Sequence, residues 1–64
     1  MRASDEILHA ARLLQARYGE DGAVIAVMRA AEAAALGDET MADYWEAVAV
    51  AIEAAETPDP RALN

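Results

Sequence analysis

Alanine recurs at every fourth position through two stretches of this chain: Ala26, Ala30 and Ala34, then Ala47, Ala51 and Ala55. Residues four apart lie on one face of a helix, one above the other, so each set forms a ridge of methyl groups. Ridges this small let two helix backbones approach closely, toward the short end of interaxial distances of about 8–10 Å. The feature therefore predicts two helices in intimate contact. It also sets a limit. The chain is 56% hydrophobic, but half of those residues are alanine, so few large side chains are left to fill a core. Sixty-four residues make one small domain, and without cysteine no disulfide can staple it.

The punctuation around these stretches divides the chain into three helical segments. Ser4 is placed to cap the first, with Asp5 and Glu6 at the positive end of its dipole. Ile7, Ala11, Leu14 and Tyr18 recur on one face. Gly19 ends the segment, and Glu20-Asp21-Gly22 makes the turn into the next. The second segment is apolar nearly all round, with Val24, Val27, Met28, Ala31 and Ala35 as its main stripe, so it should be covered on more than one side. Gly37 fits the left-handed position after its end, and Asp38 caps the third segment. There Met41, Trp45, Val48, Ile52 and Ala55 form the cleanest stripe, widened by Tyr44 and Ala51, with Trp45 read as core. Glu39, Asp43, Glu46 and Glu53 lie on the opposite face. Thr57-Pro58-Asp59-Pro60 stops the helix. The expected fold is all-α, a compact three-helix bundle with short turns and helices at about 4–18, 22–36 and 38–56. Residues 1–56 form its single domain, and residues 57–64 form a short extended tail.

The order of these features resembles a known family. "ARLLQARYGEDG", Arg29-Ala30, "ALGDE", and Trp45-Glu46-Ala47-Val48 followed by Ile52 are similar to a family of small, alanine-rich bacterial proteins. That family is a domain of unknown function, with a YGED or HGD turn, a GDE turn and a tryptophan in the last helix. The resemblance covers about residues 7–56. It implies the three-helix fold and brings no activity or catalytic residue with it. Tyr18 stands where histidine is common in the family's first turn.

Chemistry is sparse. Glu6-x-x-His9 is half of the motif by which helical carboxylate proteins hold iron or manganese, and His9 is the sole histidine. Such sites need two copies of the motif and two further glutamates, all pointing inward. At 100° per residue Glu6 falls about 120° from the centre of the first apolar stripe, and His9 almost opposite it. With Asp5 four residues before it, His9 reads as half of a surface pair. No metal or cofactor is expected. Ser4, Thr40 and Thr57 sit at caps or ends, and there is no lysine to act as base. Paired carboxylates need a pocket that separates their pKa values, which a lone helix face lacks. Gly19-x-x-Gly22 has no following lysine or preceding strand to make a phosphate loop. The chain reads as non-enzymatic.

Twelve acids against five arginines give a net charge of −7. Nucleic acid and anionic membranes would repel such a chain, so direct contact with either is not expected. Arg29 and Glu32 interrupt the longest apolar run before it could span a bilayer. No apolar h-region opens the sequence, so a cytoplasmic location is expected.

What remains are apolar residues off the stripes: Leu13, Ile25, Leu36 and Val50. Ile25, Arg29, Glu32 and Leu36 follow an i, i+4, i+7, i+11 row, the way one helix presents itself to another. With Leu13, this row is the expected interface of a helical protein–protein interaction module, either a homodimer or an accessory subunit to another protein. The rival expectation is an acidic decoy, a phage-type nucleic-acid mimic that covers a basic surface with Glu39, Asp43, Glu46 and Glu53.

Overall fold

Gly19 and Gly37 are the residues at which the chain leaves α-helical geometry. Both have positive φ, +58° and +79°, where a Cβ would be strained. The computed structural model describes residues 3–56. Helix α1 spans Ala3–Tyr18, α2 spans Gly22–Ala35 and α3 spans Glu39–Glu56. A single 3-10 turn, Gly19–Asp21, links α1 to α2. With the 3-10 turn counted as helical, residues 3–35 form one run and α3 a second, so the expected three-helix bundle is met only in part. Among the described residues there is no strand. The all-α class is as expected, and each helix starts and ends within about a residue of the positions its punctuation predicts. The Pro-containing segment 57–64 and the side chain of Ser4, proposed as a cap, lie outside what is described.

The second junction is a complete glycine stop. The Asp38 N–H donates to the Ala33 carbonyl at 2.9 Å, and the Gly37 N–H to the Ala34 carbonyl at 3.0 Å. These are the two bonds of a Schellman motif, which satisfies carbonyls that the helix end would otherwise orphan. Asp38 then acts at once on α3: its Oδ1 accepts from the Met41 N–H at 3.1 Å, a side-chain cap three residues in. At the first junction Gly22 serves a different end. A Cβ there would lie 3.3 Å from the backbone of Leu14, so its absence lets α2 begin tight against the last turns of α1.

The core is small. Ala11 and Leu14 of α1, Ala26 of α2, and Val48, Ala49 and Ile52 of α3 form one buried cluster, edged by Ile7, Ile25, Tyr44 and Trp45. Val48 and Ile52 are the largest side chains that are fully buried. The most extensive contact is between α2 and α3, as the alanine ridges predict. Ala26 and Ala30 carry that contact from α2. On α3, however, the buried alanines are Ala42 and Ala49, while Ala47 and Ala51 are half-buried and Ala55 is exposed.

Three expectations about side-chain direction are corrected. The stripe Val24/Val27/Met28/Ala31/Ala35 does not face the core: Val24, Val27 and Met28 are 56%, 51% and 53% exposed. By the 100° rule this stripe lies roughly opposite Ala26 and Ala30, so seating the alanine ridge turns it outward. Tyr18 ends the α1 stripe but is exposed. Trp45 sits at the edge of the core and is only partly buried.

Candidate interaction surfaces

The expected interface row splits when placed on the helices. Ile25 is partly buried and packs against the core cluster, so it is a structural residue first. Leu36, at 86% exposure, stands almost wholly in solvent beside the Gly37 stop. Arg29 is exposed, as expected, and its Cζ lies 4.9 Å from the centroid of the Trp45 ring at the edge of the core. Glu32 and Leu13 are exposed as expected. The row is therefore not one continuous outward strip, and the five residues do not meet at one place.

A continuous surface exists a third of a turn further round α2. Val24, Val27 and Met28 project from the helix, and Val27 borders a shallow groove between α2 and α3. Ala31 and Ala34 continue the groove on the α2 side, with Val50, Glu46 and Glu53 on the α3 side. Val50 is exposed, as read from the sequence. The sequence pattern marks this stripe, and the structure turns it outward.

The four acids Glu39, Asp43, Glu46 and Glu53 are all exposed on α3. Two of them flank the apolar groove, so the carboxylates and the unburied valines form one surface with a greasy floor and an acidic edge. Glu6 and His9 are both exposed on α1, beside an open recess they share with Asp5, Leu8 and Arg12. Among the described residues no three histidine, aspartate or glutamate side chains gather as metal ligands would.

A second recess, about 560 Å³ in volume, opens where α1, α2 and α3 meet near the first turn. Leu13, Arg17 and Tyr18 line it from α1, Arg29 from α2, and Tyr44 and Trp45 from α3. Tyr44 meets Trp45 edge to face, ring centroids 5.0 Å apart at 78°, a geometry favoured by the aromatic quadrupole. Sequence reasoning assigned both aromatic residues and Tyr18 to the core.

No family model matches the chain, and no curated protein or solved structure does either. No helix among the described residues is long and apolar enough to cross a membrane.

Proposed function

We propose that the three helices act as one small bundle whose role is to bind another protein chain, without catalysis, as a homodimer or an accessory subunit. The observation that carries this is the inverted α2. Val24, Val27 and Met28 each leave about half their surface in water while alanines fill the buried face. Single exposed apolar side chains are ordinary, but a contiguous row of them on one helix marks an interaction surface. Burying each would gain on the order of 1 kcal/mol, taking about half of the 1.5–3 kcal/mol assigned to a full valine or methionine side chain. The contact surface is the Val24/Val27/Met28 stripe with Val50, in place of the Ile25/Leu36 row. Catalytic chemistry, cofactors and direct contact with nucleic acid or membrane have no part in this reading, which places the protein in the cytoplasm.

The acidic-decoy reading is kept because Glu46 and Glu53 border the same groove. In that version a basic protein surface meets the carboxylates, and the valines add contact area.

Sedimentation across a concentration series tests the leading reading. Val27→Glu with Met28→Glu should abolish association and leave helical circular dichroism unchanged, because neither side chain supports the core. A wild-type chain that stays monomeric at millimolar concentration removes the homodimer and leaves only a foreign partner.

A further inference from the structure

All three aromatic residues of this chain, Tyr18, Tyr44 and Trp45, line a single open cleft. Arg17 and Arg29 line it too, in a chain with only five cationic residues and a net charge of −7. Its volume of about 560 Å³ lies within the range of about 300–1,000 Å³ typical of small-ligand sites. The arrangement also has direction. Arg29 approaches the Trp45 ring at 4.9 Å. A guanidinium held over a ring in this way still has five N–H donors, more than the contact with the ring uses, and they are available to an anion. Trp45 thus holds a cationic fork in place at the wall of an aromatic cleft. None of these residues belongs to the Val24/Val27/Met28 stripe, so the cleft is separate from the partner surface.

We propose that this cleft binds a planar aromatic ligand carrying one anionic group. The ring lies among Tyr18, Tyr44 and Trp45, and a carboxylate or phosphate takes the donors of Arg29, with Arg17 as the second positive charge. The apolar lining offers the ring contact area, and charge-assisted hydrogen bonds fix the anion. The shared chemistry could be supplied by an aromatic carboxylic acid or by a nucleotide, and the two are separated by experiment.

Trp45 is the only tryptophan, so its indole N–H reports occupancy without a label. The full chain, isotopically labelled, is titrated at low ionic strength with phenylacetate, phenylacetamide, adenosine monophosphate, adenosine and inorganic phosphate. The expected result is a saturable shift of the Trp45 indole and Arg29 side-chain N–H signals by phenylacetate or by adenosine monophosphate. The neutral counterpart should bind about threefold to fivefold more weakly, the loss of an exposed ion pair worth up to about 1 kcal/mol. Whichever charged member binds more tightly names the source. Arg29→Gln should weaken that binding by a similar factor, with folding checked by circular dichroism, while Val27→Glu should leave it unchanged. Three results overturn the proposal: no saturable shift from either anion up to several millimolar, equal binding of charged and neutral members, or full effect from inorganic phosphate alone. Loss of self-association in Val27→Glu with the titration intact would separate this site from the partner surface.

Discussion

Among the described residues Val48 and Ile52 are the two largest side chains wholly removed from water, and the other buried hydrophobic residues are alanine apart from Leu14. Stability in such a molecule is concentrated in very few positions. Truncating a buried isoleucine to alanine costs about 2–5 kcal/mol, the transfer loss plus the cavity left behind. Folded domains have about 0.05–0.15 kcal/mol per residue to spare, so Ile52→Ala removes much or all of the margin here. It should shift the urea midpoint steeply or leave the chain unfolded at room temperature. Val50→Ala, two residues earlier on the same helix and 66% exposed, should stay within about 0.5 kcal/mol of the parent. Urea melts followed by helical circular dichroism compare the two. Equal losses would mean that α3 is rotated from the orientation described.

The glycine stop and the cap at the α2–α3 junction were fully readable, because each depends on a local rule. Gly37 was expected in left-handed geometry and has φ +79°, and Asp38 was expected to cap α3 and accepts from Met41. Two predictions belong to this junction. Gly37→Ala places a Cβ in the left-handed region and should cost about 1–2 kcal/mol, although nothing crowds the site. Asp38→Ala should cost about 1 kcal/mol through the lost cap. Thermal melts of both variants check this, and a neutral Gly37→Ala would show that the turn tolerates another conformation. Helix α2 was not readable in the same way. Where a helix is apolar all round, hydrophobic periodicity gives no phase, and two patterns competed for the inner face. The larger side chains offered more buried area, whereas the alanine ridge offered closer approach to α3, and the ridge won. Neighbouring positions explain the other misreadings. Phasing α2 on its valines puts Ile25 outside, and the clean stripe of α3 puts Trp45 fully inside, whereas both are partly buried at the edge of the core. Exposure of Leu13, Leu36 and Val50 followed correctly from their places off the stripes. The Arg29–Trp45 contact joins two helices, and no single-helix pattern announces a contact of that kind.

At the scale of the molecule, a charge of −7 on 64 residues sets apolar attraction against electrostatic repulsion. Glu39 and Asp43 are spaced i, i+4 on α3, where like charges cost a few tenths of a kcal/mol per pair. All four acids of that face are exposed, so salt reaches them readily. Raising salt from 0.1 M to 1 M shortens the screening length from about 10 Å to about 3 Å. The folded chain should therefore melt at a higher temperature in 1 M salt, since compaction crowds charges that the unfolded chain spreads apart. Asp43→Lys with Glu46→Lys should raise the low-salt melting temperature and flatten the salt dependence. Association responds to salt according to what is bound. Two copies meeting through Val24, Val27 and Met28 bring acidic edges together, so screening should strengthen a homodimer. A basic partner gripping Glu46 and Glu53 should bind more weakly in high salt, and the double reversal should weaken it further at low salt. A salt series of sedimentation or capture measurements on the parent and the Lys variant therefore separates the two readings by the sign of the effect. A partner whose capture ignores both salt and the reversal leaves the acidic face as solvated surface and assigns the contact to the apolar stripe alone.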